Sequence, residues 1–391
     1  MNKIAIIELD HHFEVLLNTC KIFNELKYNT TIITKEKFFN ELNRLDKFER
    51  INWIIWKDSE KLTNFLRNNI KKINEYDLLI FNTFSRYFKE FSDLRLLPKT
   101  IVRVHNANAY FAPKQNIKLA SDFFYLLKDL NYFLINVIYR KEWKYRSQFI
   151  RKVNNYTFPT EIIKNYILSR SLLSLDKIVE PIPWSFISQD YDKKKETKSV
   201  YITLTGSIDR RRRDYTLLYQ VLAATRNQYS RKVILTFLGK PKNNYEKLTI
   251  KKFKKLETDK LKFVSFLKWV PQNEFDEIMK KTDFLVIPLE KEVKFTIYRE
   301  LNGYTKISGN VNDIILYRKP AIISSTYPLD ASLKTVTKGY KNKEDFSRIL
   351  LQWINQKEFQ KYNQLFDNIC SEFSFETTKI KVERVIDSIL N

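Results

Sequence analysis

The sequence predicts an α/β protein made of two tandem, doubly wound domains, and three observations carry that prediction. Short apolar runs alternate with helix-like stretches along the chain, which is typical of βαβ units in a parallel sheet. Prolines and a polar run interrupt this alternation between residues 181 and 198, after which it starts again. A length of 391 residues is also enough for two domains with separate cores.

The first half of the chain predicts one such domain over residues 1–188. Residues 1–10 are expected to form a first buried strand rather than a secretory signal, because the apolar run is short and soon turns acidic. The expected strands are Ile4–Leu9, Thr30–Thr34, Ile51–Trp56, Tyr76–Phe81, Thr100–His105 and Val153–Pro159, with helices at His12–Leu26 and Ser59–Asn74.

The second half predicts another such domain over residues 199–360, followed by helical residues 361–391 that are expected to pack back on the first domain. The expected strands are Val200–Thr205, Lys232–Leu238, Leu261–Val264, Phe284–Pro288 and Ala321–Ser324, with helices near 214–226, 246–256, 273–281 and 310–318. In doubly wound folds ligands lie at the carboxyl ends of the strands, so we expect a site in a central cleft between two facing domains.

Composition narrows the function classes. Two distant cysteines and three histidines match no metal-ligand spacing, so we expect neither a metal nor another cofactor in a reduced, cytoplasmic protein. No run approaches the roughly 18 apolar residues of a membrane-spanning helix. The net charge of +24 favours a polyanionic partner, such as phosphate-bearing substrates, an anionic membrane or nucleic acid, unless it is only a lysine-rich solvated surface.

Glycine is scarce and confined to the second half. The chain has five glycines, none before residue 206, whereas average usage of roughly 7 per cent would give many more. Gly206 and Gly239 end apolar runs, and Gly303 and Gly309 enclose a polar loop. Glycine is needed where a backbone turns sharply or approaches a phosphate, so the second domain is expected to bind a nucleotide and the first an acceptor.

A basic loop follows the strand that ends at Thr205. Gly206 and Ser207 precede four consecutive arginines, of which Arg212 and Arg213 lie next to the expected helix. Backbone amides, a helix N-terminus and arginines together suit a phosphate, although the same residues also fit a solvated basic loop.

A second polar loop precedes the helix expected near residues 310–318. Ser308, Gly309 and Asn310 are suited to a helix start, where their amides could hold a diphosphate, and Asp313 one turn later could accept hydrogen bonds from ribose hydroxyls. An ordinary capped helix would carry the same residues.

These segments resemble the donor half of a glycosyltransferase with two Rossmann-like domains (GT-B), most closely the retaining family 4 type. Arg213 stands where that family has a phosphate-binding lysine, and Ser207 where it usually has arginine. The likeness covers about residues 200–330 and includes four further segments: Leu238–Lys240, Phe266–Glu274, Asp283–Pro288 and Asp313–Ser324.

The resemblance implies a metal-independent hexosyltransferase that uses a nucleotide-diphosphate sugar, such as a UDP-sugar, in polysaccharide biosynthesis. The residues expected to bind the donor are Gly206, Ser207, Arg212, Arg213, Lys240, Val270, Thr305, Lys306, Ser308, Gly309, Asn310 and Asp313. The family's two glutamates, eight residues apart, fall here at Thr305 and Asp313. We interpret the equal spacing of Glu292 and Glu300 as coincidence, and the stereochemical outcome stays open.

The first domain carries the expected catalytic residues Asp10, His11 and His105. Asp10 and His11 follow the first predicted strand, and His105 lies at the end of another. His105 resembles the histidine that family 4 enzymes place beside the transferred sugar, although a structural loop histidine would look the same. Asp10 and Glu14 flank His11 and His12 and could serve the acceptor.

The acceptor is expected to be a glycan or a lipid-linked glycan at the inner face of a membrane. Residues 119–152 are aromatic and basic, which suits either an interfacial amphipathic surface or a buried helix pair. The alternative function is a glycosyltransferase or binding protein that acts on nucleic acid, although no zinc-finger or RRM signature is present.

Overall fold

The computed structural model describes residues 1–9, 13–182, 185–187 and 197–391. The chain divides into two compact units. Unit 1 comprises residues 1–184, 294–300 and 375–391, and unit 2 comprises residues 185–293 and 301–374.

Unit 1 contains a six-stranded parallel sheet in the order β3-β2-β1-β4-β5-β6. This is the strand order of a Rossmann fold, whose topological switch point lies between the first and fourth strands. The strands are β1 (Lys3–Glu8), β2 (Asn29–Lys35), β3 (Ile51–Trp56), β4 (Leu78–Thr83), β5 (Lys99–Arg103) and β6 (Asn155–Thr157).

The helices of unit 1 alternate with these strands along the chain. They are α1 (Phe13–Glu25), α2 (Glu36–Leu45), α3 (Leu62–Ile73), α4 (Phe88–Ser92), α5 (Ala107–Phe111), α6 (Phe123–Tyr132), α7 (Glu142–Lys152), α8 (Glu161–Ser169) and, from the end of the chain, α16 (Phe375–Leu390). A π-helical segment, Phe133–Tyr139, joins α6 to α7. The core is rich in phenylalanine, with Phe81, Phe84 and Phe149 packed ring against ring.

Helix α16 is part of unit 1. The Tyr28 hydroxyl, just after α1, donates to the Asp387 carboxylate at 2.7 Å, and the Lys99 ammonium donates to the Ile389 carbonyl oxygen at 2.5 Å. Its apolar side, including Val382 and Ile386, is buried. The end of the chain therefore completes the first sheet's helical layer.

Unit 2 repeats the topology, with the order β14-β13-β10-β7-β8-β9 and every pairing parallel. Its strands are β7 (Val200–Thr205), β8 (Val233–Leu238), β9 (Leu261–Ser265), β10 (Phe284–Ile287), β13 (Ala321–Ser324) and β14 (Thr337–Tyr340). Its helices are α9 (Tyr215–Thr225), α10 (Asn244–Lys254), α11 (Gln272–Lys281), α12 (Gly309–Leu316), α13 (Ala331–Thr335), α14 (Lys343–Gln356) and α15 (Phe359–Ile369). The predicted α/β fold with two doubly wound domains is confirmed.

The stretch between β10 and α12 forms a hairpin of β11 (Glu292–Phe295) and β12 (Tyr298–Leu301). Residues 294–300, which include its turn, belong to unit 1. No helix in the described part of the chain is long and apolar enough to cross a membrane.

Candidate functional site

The carboxyl ends of β7 and β8 meet at a point where only glycine fits. The Gly206 amide donates to the Leu238 carbonyl oxygen at 2.9 Å, and Gly206 has a φ of +84°. A Cβ on Gly239 would lie 2.4 Å from the Gly206 carbonyl oxygen. Because backbone packs directly on backbone here, the structure explains why both positions need glycine, which the sequence alone only suggested.

Arg213 fixes the loop that follows β7. Its guanidinium donates to the carbonyl oxygens of Thr205 and Ser207, at 2.6 and 2.7 Å, and to the Asn310 side-chain oxygen at 3.1 Å. The side chain is buried. The sequence predicted that Arg213 binds a phosphate. In the structure its side chain connects the end of β7 to the start of α12.

The other arginines of the run surround a buried carboxylate. Asp209 pairs with Arg211 at 2.9 Å and with Lys242 at 3.1 Å, and its carboxylate is 3.8 Å from Arg212. Burial alone would raise the pKa of Asp209, but the hydrogen bonds from Arg211 and the charge of Lys242 hold it well below its usual range.

A second buried carboxylate, Glu246, faces Arg210, whose guanidinium also stacks 3.8 Å from the Tyr245 ring. The four arginines and Lys242 still outnumber Asp209 and Glu246. The loop thus carries part of its own counter-charge and retains an excess of positive charge.

Helix α12 begins at the same strand end. The Asn310 side-chain amide donates to the Thr205 carbonyl oxygen at 2.8 Å, and the Thr205 hydroxyl donates to the Asp313 carboxylate at 2.5 Å. Gly309, the first residue of the helix, is exposed, and a Cβ built on it would meet nothing within 4 Å. The first amides of a helix lack partners within it, so this open position suits an anion.

Other residues predicted for the donor site have different surroundings. Thr305 is fully buried, and its hydroxyl accepts from the Leu301 amide at 2.7 Å. Val270 packs in the core beside Leu238. Lys240 is exposed and Lys306 half-buried. Gly206, Ser207, Arg213, Asn310 and Asp313 are brought together around Thr205.

Unit 1 places His105 two residues after the end of β5, at the carboxyl edge of its sheet. The ring Nε2 lies 3.0 Å from the Asn82 carbonyl oxygen and 3.3 Å from the Thr83 hydroxyl. A carbonyl oxygen only accepts, so Nε2 carries the proton in this contact. His105 lines a cavity of about 60 Å³ together with Ser85 and Asn106.

A buried polar network that the sequence analysis missed lies at the switch point of this sheet. Arg103 donates to the Asn82 side-chain oxygen at 2.7 Å, and the Asn82 amide donates to the Glu8 carboxylate at 3.3 Å. Burial lowers the pKa of Arg103 to about 10, although the Glu8 charge opposes this shift. The sequence did contain a signal for this network, because the carboxylate of Glu8 and the amide of Asn82 lie near the ends of the apolar strands β1 and β4.

Glu300 also lies in unit 1. Its carboxylate accepts from the Ala109 amide at 2.7 Å and from the Asn108 amide at 3.3 Å, in the first turn of α5. The Glu300 side chain is fully buried, so its role in these bonds is structural: it holds the first turn of α5.

The predicted residues Asp10 and His11, with neighbouring His12, lie outside the described residues. Glu14 is exposed in the first turn of α1. Among the described residues, no group of three or more His, Cys, Asp or Glu is placed to hold a metal ion.

Comparison with known proteins finds likeness in structure alone. No family model matches the sequence. No curated protein matches it. A crystal structure of Anabaena HepE in complex with UDP has a TM-score of 0.64 at 11% identity, covering 99% of this chain and 100% of that one.

Two further solved structures extend the comparison. A mutant of S. aureus TarM, in complex with fondaparinux, alpha-GlcNAc-glycerol and UDP, has a TM-score of 0.64 at 10% identity, with 98% and 99% coverage. A GtfA/B complex has a TM-score of 0.63 at 8% identity and covers both chains fully. At such identities the likeness shows the fold, which is the two-domain GT-B fold.

Proposed function

We propose that this chain is a glycosyltransferase that transfers a hexose from a UDP-sugar to a glycan acceptor. The observation that carries the proposal is the open N-terminus of α12 at the end of β7, beside a loop with excess positive charge. Complexes of HepE and TarM with UDP, on the same fold, support the choice of nucleotide.

In this proposal unit 2 binds the donor diphosphate. The phosphates lie against Gly309 and the first amides of α12, and the side chains of Arg212 and Lys306 supply cations. Sugar transfer leaves negative charge on the departing diphosphate, and fixed dipoles and cations lower the barrier by stabilising it. These groups supply that stabilisation from the chain itself, so the proposed reaction needs no metal.

Unit 1 binds the acceptor in this proposal. The His105 cavity offers a ring nitrogen, hydroxyls and an amide, which suit the hydroxyl groups of a sugar. The TarM complex with fondaparinux and alpha-GlcNAc-glycerol supports a glycan as the acceptor class. A free or lipid-linked glycan in cytoplasmic polysaccharide biosynthesis fits this chemistry.

We further propose that the enzyme is of the retaining family 4 type. The support is the sequence resemblance over residues 200–330 together with the placement of Asp313 beside Thr205. The anomeric configuration of the first-formed product, followed by NMR, tests this point, since an inverted product would reject the family 4 assignment.

The experiment that tests the donor site compares two glycine substitutions in unit 2. Gly309→Ala adds a methyl group to open space, so the ligand-free protein should melt as the parent does. The same methyl would occupy space next to the bound phosphate, so UDP affinity should fall about tenfold or more. Gly339→Ala, where the added Cβ makes an ordinary 3.4 Å contact with Ser325, is the matched control.

The readout is thermal unfolding with UDP, GDP, ADP and CMP sugars, followed by calorimetric titration. A ligand at 100 times its Kd stabilises the native state by about 2.7 kcal/mol, which moves the melting temperature measurably. The proposal is rejected if no nucleotide stabilises the parent protein, and the α12 assignment is rejected if Gly309→Ala binds UDP as tightly as Gly339→Ala.

A further inference from the structure

An apolar stripe runs along α6 and the π-helical segment of unit 1. Phe123, Leu127, Leu130, Leu134 and Ile138 follow one another at intervals of three or four residues, and each is between 39% and 66% exposed. Such intervals place side chains on one face of a helix. A surface helix normally presents polar residues to water, so this face is unusual.

The opposite face of the same segment is packed firmly in unit 1. Val137 is buried against Ile297 and Tyr298, and the Phe133 ring lies 5.9 Å from that of Trp143. The Tyr132 hydroxyl donates to the Glu142 carboxylate at 2.8 Å. The segment is thus apolar on both sides, with one side buried and the other open to solvent.

The π-helical geometry extends the stripe beyond α6. The Arg140 amide donates to the Ile135 carbonyl oxygen five residues earlier, at 2.9 Å. This wider turn keeps Leu134 and Ile138 near one face and adds Tyr139, which is 83% exposed.

Cations flank the stripe, while two nearby carboxylates are internally paired. Lys128, Arg140, Lys141 and Lys144 are exposed. Of the acidic residues, Asp129 pairs with Lys294 and Glu142 pairs with Arg146, and Asp122 accepts from the Tyr125 amide at the start of α6. The charge presented beside the apolar residues is therefore mainly positive.

A basic groove adjoins this surface. It has a volume of about 600 Å³ and lies between α7 and the residues that follow α5. Lys114, Lys144 and Arg151 line it, and among the residues that the structure describes no acidic side chain does. Trp143, which packs on Phe133 of the π-helical segment, forms part of its wall, so the groove lies beside the same segment that carries the stripe.

We propose that this face docks unit 1 on an anionic phospholipid bilayer. The stripe enters the boundary between headgroups and acyl chains, and the flanking cations and the groove contact lipid phosphates. A second copy of this chain would bring the same basic rim against itself, in a protein of net charge +24, which disfavours that occupant. The inference goes beyond the proposed transfer reaction and rests on other residues.

The test is co-sedimentation of the full chain with large unilamellar vesicles of phosphatidylcholine containing 30% phosphatidylglycerol. The parent protein should bind these vesicles at least tenfold more strongly than pure phosphatidylcholine. The stripe variant Leu127→Gln/Leu134→Gln/Ile138→Gln should lose at least tenfold in partition. The control variant Leu45→Gln/Leu97→Gln/Leu248→Gln, whose residues are similarly exposed, should bind as the parent does.

Two further measurements keep the proposal open to rejection. Arg140→Gln/Lys141→Gln/Lys144→Gln should lose most of the preference for phosphatidylglycerol, and hydrogen exchange of the unmodified chain should slow over residues 123–139 on vesicles. The proposal is overturned if the parent ignores anionic vesicles, or if the folded stripe variant binds as the control does. It is also overturned if light scattering shows a dimer that only the stripe variant disrupts.

Discussion

The Ala109 amide donates a 2.7 Å hydrogen bond to the Glu300 carboxylate, across 191 positions of sequence. Glu300 also accepts from the Asn108 amide, and its side chain is fully buried. The first amides of a helix have no partner within it. Glu300 therefore acts as a distant cap for α5, and residues 294–300 are joined to unit 1 by this contact.

Replacing Glu300 with alanine should destabilise unit 1. The change leaves two buried amides without an acceptor, and each such loss costs about 1–3 kcal/mol. We expect a total of about 2–4 kcal/mol in denaturant unfolding, with faster hydrogen exchange over residues 107–111. Exposed Glu49→Ala is the control and should change neither quantity. Unchanged exchange in α5 would show that the cap contributes nothing.

Asp209 should make the stability of unit 2 depend on acid pH. Its pKa is held below the usual value in the folded state, so its contribution is complete above the unfolded carboxyl pKa near 4. That contribution is lost as the pH falls towards the lowered folded pKa, at up to about 1.4 kcal/mol per pH unit.

Asp209→Asn should therefore flatten the unfolding free energy of unit 2 between about pH 4 and pH 2.5. At pH 7 it should also cost about 1–3 kcal/mol, a moderate value because Arg211 and Lys242 are more than 40% exposed. Urea titrations at several pH values measure both effects. Exposed Asp259→Asn should keep the parent's slope, and an equal slope in Asp209→Asn would contradict the assignment.

Much of the fold could be predicted because the strands are apolar and separated by helices of ordinary length. The predicted strands Ile51–Trp56, Val200–Thr205 and Ala321–Ser324 agree with β3, β7 and β13 residue for residue. The glycines that end β7 and β8 were also informative, since a Cβ on Gly239 would collide with the Gly206 backbone.

The hairpin of β11 and β12 could not be predicted in this way. Its turn contains Thr296 with a φ of +53°, a conformation that usually selects glycine or asparagine. A β-branched residue there gives no turn signal. The place of Glu300 depends on this hairpin, so its role was equally hidden, and the spacing of Glu292 and Glu300 carried no information about it.

The carboxylates that pair with the arginine run could not all be predicted from the sequence, for a different reason. Asp209 immediately precedes the run and was visible in the sequence. Glu246, in contrast, is a helix residue 33 positions after Arg213 that sequence patterns assign to a solvated face. Only the fold brings it to 3.5 Å from Arg210. The four arginines therefore need less external negative charge than the sequence alone suggests.

His105→Ala should lower turnover without weakening UDP binding. The ring lies in unit 1 and contacts Asn82 and Thr83, whereas the proposed diphosphate residues belong to unit 2. Loss of a positioned proton-transfer or orienting group costs about a hundredfold in rate. Steady-state transfer rates and calorimetric Kd values for UDP separate the two effects.

Thr83→Val provides the comparison for His105. It removes the 3.3 Å hydroxyl contact and leaves the Asn82 carbonyl contact in place, so the fall in turnover should be much smaller. Full activity in His105→Ala would remove this histidine from the acceptor site.

Arg213 allows the structural and ligand-binding roles of the β7 loop to be separated. A residue that only bound phosphate would leave the ligand-free melting temperature unchanged when replaced. Here the guanidinium bonds two backbone carbonyls and Asn310, and lysine offers one ammonium on a different geometry. We therefore expect Arg213→Lys to lose about 2 kcal/mol of stability, from two or more charged hydrogen bonds.

UDP affinity should fall about tenfold in the same variant because the loop and α12 lose their connection. Arg348→Ala, which removes surface contacts with Asp345 and Gln352, should stay within about 0.5 kcal/mol of the parent and bind UDP equally well. Weakened UDP binding at parental stability would instead assign Arg213 to the phosphate alone, and parental behaviour in both measurements would remove it from the site.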